Sequence, residues 1–157
     1  MASWSDFSAA APELAERVRA CLDAYTNKTI ATLRRDGSPR ISATEAQFAD
    51  GELWIGSMWQ ALKARDLQRD PRFALHGGTG EPAEDWPGDA KLAGIAAEVL
   101  DQDVIRERNG EAAAKGPTHL FRLDLREVST VRVNDAHTAL IIDVWTPERG
   151  LRTIERA

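Results

Sequence analysis

TIATLRRDGSPRISATEAQFADGELWIGSMWQALKARDLQRDPRFALH, residues 29–76, is the stretch whose reading decides the fold. Thr29 to Leu33 alternates and is β-branched, which predicts a strand. Asp36-Gly37-Ser38-Pro39 supplies turn chemistry, and a second strand runs from Arg40 to Phe48 to complete a hairpin. Asp50-Gly51 marks another turn and Leu53 to Ser57 a third strand, so a meander is the economical reading. From Gln60 the period changes. Leu62, Lys63, Arg65 and Leu67 suit a short helix that ends near Arg69, ahead of Pro71, and Phe73 to His76 returns to strand. This order sets a basic helix beside the end of a hairpin system, where a phosphate has a natural seat.

Working outward, Pro12 occupies a first helical position, and Leu14, Val18, Cys21, Leu22 and Tyr25 share one face at three- and four-residue spacing. Gly77 to Gly88, rich in glycine, proline and acid, reads as an exposed loop, and Lys91 to Leu100 as the next strand. Asp101 or Asp103 caps a helix reaching toward Lys115. His119 to Val133 alternates, with Leu120, Arg122, Asp124 and Arg126 on one face and Phe121, Leu123 and Leu125 on the other. Thr138 to Thr146 and Leu151 to Ile154 form a last hairpin around Pro147-Glu148-Arg149-Gly150. The expectation is a mainly β fold with flanking helices: six or seven mostly antiparallel strands and two or three helices in one domain. Residues 1–26 form a helical N-terminal region and 27–157 a small barrel, because closure removes vulnerable edges.

At 157 residues, 43% of them hydrophobic, the chain fills one core and is too short for two ordinary domains. A net charge of -5 argues against nucleic acid as partner, since counterion release needs a basic face, and confines any anion site to a local patch. Cys21 is the only cysteine, which excludes an intrachain disulfide and a cysteine-based zinc site and suits a reducing cytoplasm. No signal peptide is expected from the N-terminus, and no window has the roughly 18 apolar residues of a membrane span. Sixteen arginines against four lysines suggest a GC-rich bacterial genome.

Lys63 and Arg65 follow Gly56-Ser57-Met58-Trp59, and a strand end, a hydroxyl and a helix N-terminus with a lysine make an oxyanion cradle. The competing reading is a solvated helix face shared with Asp66 and Asp70. Among the tryptophans, Trp54 reads as core or interface, and Trp59 as partly exposed and placed to touch a ligand. His76, His119 and His137 have no partners at metal-ligand spacing and read as structural or surface residues, although a single axial haem histidine needs no motif. Glu45 is a lone strand carboxylate, either an acid or base or a salt-bridge partner of an arginine such as Arg40. The serines lack a hydrolase elbow, and Gly77-Gly78-Thr79-Gly80 lacks the helix and lysine of a nucleotide fingerprint.

ATLRRDGSPRISATEAQFADGELWIGS (31–57) followed by KARDLQRDPRFALH (63–76) resembles the FMN-binding split-barrel group related to pyridoxamine 5'-phosphate oxidase. That group includes actinobacterial reductases that use the deazaflavin coenzyme F-420. The resemblance implies a six-stranded split β-barrel that dimerises, with two cofactor sites at the subunit interface. It places Lys63 on the phosphate, Ser57 and Met58 along the phosphate or ribityl path, and Ser42, Ala43 and Thr44 beside the ring; Trp59, from its position between a strand end and the helix, and Arg65, as a substitute for a missing arginine, complete the expected cofactor-binding set. Many relatives carry an arginine where this chain has Leu62, and the arginine- and histidine-rich C-terminal substrate segment of the oxidase has no match in VWTPERGLRTIERA (144–157). The implied activity is an FMN- or F-420-dependent oxidoreductase passing hydride to a small molecule. The alternative is a non-catalytic flavin- or haem-binding dimer of the same fold.

Overall fold

A computed structural model describes residues 2–78 and 88–157. Its elements in chain order are α1 (Trp4–Ala10), α2 (Pro12–Asp23), β1 (Lys28–Leu33), β2 (Pro39–Thr44), β3 (Gln47–Ala49), β4 (Glu52–Met58), α3 (Leu62–Arg69), β5 (Arg72–His76), β6 (Asp89–Glu98), α4 (Gln102–Ala114), β7 (Thr118–Val133), β8 (Leu140–Thr146) and β9 (Gly150–Arg156). Nine strands and four helices among the described residues exceed the expected six or seven and two or three. Part of the excess is a helix the apolar spacing does not reveal. α1 is held by a capping box in which Ser3 and Asp6 satisfy each other's backbone N–H groups.

The other part comes from the expected strand Arg40 to Phe48, which is two strands. β2 pairs with β1 at one edge of the sheet, whose order is β2-β1-β5-β6-β7-β4-β3, and β3 pairs with β4 at the other edge. Only Glu45 and Ala46 separate them. The chain passes from one edge of the curled sheet to the other within two residues, and a continuous strand cannot belong to both edges. The sheet therefore curls on itself without a closing ladder. The meander is corrected at the same point: β4 follows β3 through the Asp50-Gly51 turn but pairs next with β7, not with β2.

β7 is the spine. Along one side it pairs with β6; along the other it pairs with β4 over Thr118–Arg122 and with β8 over Val128–Val133. The register slips between Ala93 and Gly94, where a Cβ on residue 94 would stand 1.9 Å from the Asp124 carbonyl oxygen. Only glycine permits that approach, and the bulge lets β7 bend toward both neighbours.

α1 and α2 cover the inner face, burying Trp4, Phe7, Leu14, Val18, Cys21 and Leu22 against Ile30, Phe121, Leu125 and Trp145. Tyr25, expected on this face, lies past the end of α2 and is 45% exposed. Trp54, expected in the core or an interface, packs with Ile105 and Leu120 in a second small cluster beneath α4. Leu120 is thus buried although its strand face continues as Arg122 and Asp124. Asp101 caps α4 by accepting from the backbone N–H groups of Asp103 and Val104. Most of the expected 77–88 loop lies outside the described residues.

Candidate functional site

Two grooves meet at α3. The first, of about 740 Å³, is lined by Ser42, Ala43 and Thr44 of β2, by Gly56, Ser57 and Met58 at the end of β4, by Lys63, and by Asn109 and Ala112 of α4. Its volume lies within the range of small-molecule sites, roughly 300–1,000 Å³. The second, of about 890 Å³, is lined by Arg34, Arg35, Arg40, Arg65 and Arg69 with Asp36 and Asp66. Arg34, Arg40 and Leu62 border both.

In the first groove the Lys63 ammonium donates to the Ala43 carbonyl oxygen at 2.6 Å, which leaves two of its three donors for another acceptor. Burial pushes its pKa below the ordinary 10.5, and the Glu45 carboxylate works in the opposite direction. The Ser57 hydroxyl is buried without a hydrogen-bond partner among the described residues. Thr130 Oγ1 is likewise buried and partnerless among the described residues, but of the two only Ser57 lines the groove, where its hydroxyl is open to a ligand group. α3 begins at Leu62 with no side-chain cap and no acid in its first turn, and Ala61, Leu62 and Lys63 line the same groove as Ser57, so the positive end of the helix dipole borders it. These groups fit a phosphate, and the exposed apolar Ile41 and Met58 beside the groove fit a flat ring.

The neighbouring charges behave differently. Asp66 is not part of a solvated face: it is 3% exposed and accepts from Arg40 at 2.6 Å, Arg69 at 2.9 Å and Thr32 at 3.0 Å. Burial alone would raise its pKa, but the hydrogen bonds from Arg69, Arg40 and Thr32 outweigh that and hold it below the ordinary 3.8. Arg40 is committed to Asp66 rather than to Glu45. Asp70 pairs with Arg72, whose hydrogen bonds draw its pKa down to about 2.

Of the residues expected at the site, Ser42, Ala43, Thr44, Ser57, Met58 and Lys63 come together in the first groove. Arg65 lines the second groove instead. Trp59 is 54% exposed, as expected, but lies flat on the His119 imidazole, with ring centroids 4.7 Å apart and planes 10° apart. Asn109 and Thr118 were not expected in the groove. Gly56 holds the signal for Asn109: it interrupts a strand, and a Cβ there would meet Asn109 Oδ1 at 2.7 Å. Asn109 in turn donates to Thr118 Oγ1 and the His119 carbonyl, fixing α4 over the groove.

The histidines have these surroundings. His119 is buried with both ring nitrogens engaged, by Glu98 and by the Gln60 N–H. His76 has its nitrogens beside the Gly77 carbonyl and Asp89.

Solved structures share this architecture. A pyridoxamine 5'-phosphate oxidase-related, FMN-binding protein from Nostoc punctiforme PCC 73102 superposes with a TM-score of 0.63 at 12% identity, covering 96% of this chain and 96% of that one. PhzG from Burkholderia lata 383, in complex with tetrahydrophenazine-1-carboxylic acid, gives 0.63 at 13% identity over 92% of this chain and 91% of its own. An F-420 reductase gives 0.54 at 15% identity, covering 71% and 94%. No protein-family model matches the sequence, and no curated protein matches it. The chain has the split-barrel fold of the pyridoxamine 5'-phosphate oxidase-like, FMN-binding proteins. Among the described residues no helix is long and apolar enough to cross a membrane.

Proposed function

We propose that this chain is an oxidoreductase that binds FMN or coenzyme F-420 in the groove of Lys63 and acts on a small-molecule acceptor. The observation that carries this reading is the convergence of Lys63, the partnerless Ser57 hydroxyl and the uncapped start of α3 on one anion seat at the end of a ring-sized groove. The bound cofactor supplies hydride transfer. The chain's own part is binding and orientation: Lys63 and Ser57 take the phosphate, and Ser42, Ala43 and Thr44 form the wall along the ring. Both cofactors offer a phosphate and a tricyclic ring, so this chemistry takes either.

The working unit is a homodimer with its cofactor sites at the subunit interface. Ile41, Met58 and Leu62, 73%, 79% and 56% exposed, form an apolar rim that a second copy would cover. The compartment is the cytoplasm, which keeps the single buried Cys21 reduced.

Titration of the purified protein with FMN and with coenzyme F-420, followed by tryptophan fluorescence, tests the reading directly. Saturable binding of one cofactor, with turnover of quinone or enone acceptors by its reduced form, is expected. Absence of binding to both rejects the assignment. Tight binding without turnover over the acceptor panel makes the protein a cofactor-holding dimer instead.

A further inference from the structure

We infer that His119 is a positioning residue, which with Glu98 sets the backbone of the turn from Met58 to Ala61 and so the placement of the phosphate seat. The inference rests on the proposed role of that seat. His119 lies on β7 opposite Ser57 of β4 and is 2% exposed. Its Nδ1 is 2.7 Å from Glu98 Oε1 on β6, and Glu98 is itself anchored by Gln68 of α3, whose amide donates to both carboxylate oxygens at 3.0 Å. An ionised carboxylate only accepts, so the proton of the neutral ring sits on Nδ1 and Nε2 is left as an acceptor. The Gln60 backbone N–H donates to that Nε2 at 3.2 Å.

The bond falls where the backbone needs holding. Gln60 has φ +59°, a left-handed conformation that L side chains disfavour. The turn closes with the Ala61 N–H on the Met58 carbonyl at 3.1 Å, and Lys63 follows in the first turn of α3. Trp59 covers the imidazole from the solvent side. The sequence Gln68, Glu98, His119, Gln60 thus ties α3, β6 and β7 to the one turn that separates Ser57 from Lys63. The His119 imidazole does not itself line the groove; it acts through the turn.

The test uses the full chain with three readouts. In the wild type without cofactor, nitrogen NMR of the His119 ring at neutral pH should find Nδ1 protonated and Nε2 bare; the opposite tautomer overturns the inference without any variant. His119→Phe keeps the ring and its stack on Trp59 but removes the acceptor, and should speed hydrogen exchange at the Gln60 amide about tenfold. Because riboflavin lacks the phosphate, the ratio of its dissociation constant to that of FMN isolates the seat, and the Phe variant should lower that ratio about tenfold with riboflavin binding unchanged. His119→Gln restores an acceptor near the Nε2 position and should return both quantities toward wild type. Equal behaviour of the Phe and Gln variants, or equal loss of riboflavin and FMN, overturns the positioning role. If the wild type binds neither flavin, the cofactor reading fails, while the ring tautomer and the Gln60 exchange rate still decide what His119 does.

Discussion

The two sides of α3 use charge in opposite ways. Toward the second groove, Asp66 is buried and receives Arg40, Arg69 and Thr32, tying the helix to the β1–β2 hairpin. Toward the first groove, among the described residues, the Lys63 ammonium has a single hydrogen bond and the Ser57 hydroxyl has none. Eight residues of helix thus carry a satisfied structural clasp on one side and an unsatisfied seat on the other. Under the proposed function, the phosphate of the cofactor is what completes the Ser57 hydroxyl and the Lys63 ammonium beside the uncapped helix start.

The clasp should break hardest. Asp66→Ala leaves two guanidinium groups without their carboxylate in partly buried surroundings, and a loss of about 3 kcal/mol in unfolding free energy is expected from urea denaturation. A loss below about 1 kcal/mol would reduce the clasp to an ordinary surface pair. The pH dependence has a definite sign. The folded-state pKa of Asp66 is depressed below 3.8, so its contribution is fully present above that value and is lost as pH falls through the lower folded pKa. Acid titration of the wild type should therefore be steeper below pH 4 than that of Asp66→Asn.

The seat should respond in affinity rather than in stability. Lys63→Ala is expected to weaken binding of FMN or coenzyme F-420 about 30-fold, the scale of one charge-assisted hydrogen bond, with the midpoint of unfolding nearly unchanged. An unaltered dissociation constant would move the phosphate elsewhere. Because burial lowers the Lys63 pKa below 10.5, the ammonium loses its proton earlier than a free lysine as pH rises. Cofactor affinity should fall on the alkaline side before pH 10.5, and Lys63→Arg should flatten that fall.

Much of this comparison was legible in the sequence. The two DG turns, the change of period at Gln60 and Pro71 after Arg69 locate α3 between strands β4 and β5, and with it the contacts of Ser57 and Lys63 with one groove. The partner of each charge was not legible. Asp66 reads as solvated because nothing local reveals that Arg40, 26 residues earlier, arrives at its carboxylate. The split of β2 from β3 was hidden for a similar reason. Arg40 to Phe48 has an uninterrupted strand composition, and only the curl of the sheet, which brings its two edges together, demands a break at Glu45-Ala46. α1 was missed because seven residues are too few to establish a period, although Ser3 and Asp6 stand at capping-box spacing.

Leu62 offers a way to add to the seat. It is 56% exposed at the start of α3 and borders both grooves, so a longer cationic side chain is accommodated without repacking. Leu62→Arg should tighten FMN about fivefold, the gain of one partly screened contact. A change of fivefold or more in the opposite direction would mean that Leu62 is itself an apolar contact of the ring or of the second subunit.

The smallest effect is expected from Arg65, and it tests whether the two grooves are separate at all. Arg65 is exposed, its side chain has no ion pair or hydrogen bond among the described residues, and it lines the arginine-rich groove rather than that of Lys63. At that position its charge reaches a phosphate held by Lys63 only through solvent, where a Debye length of about 8 Å at physiological salt limits it. Arg65→Ala should therefore weaken FMN no more than about twofold, the difference should vanish at high salt, and unfolding should shift by less than about 0.5 kcal/mol. A loss as large as that of Lys63→Ala, persisting at high salt, would place Arg65 in direct contact with the cofactor. The division of α3 into a structural side and a binding side would then give way to a single continuous anion site running across Leu62.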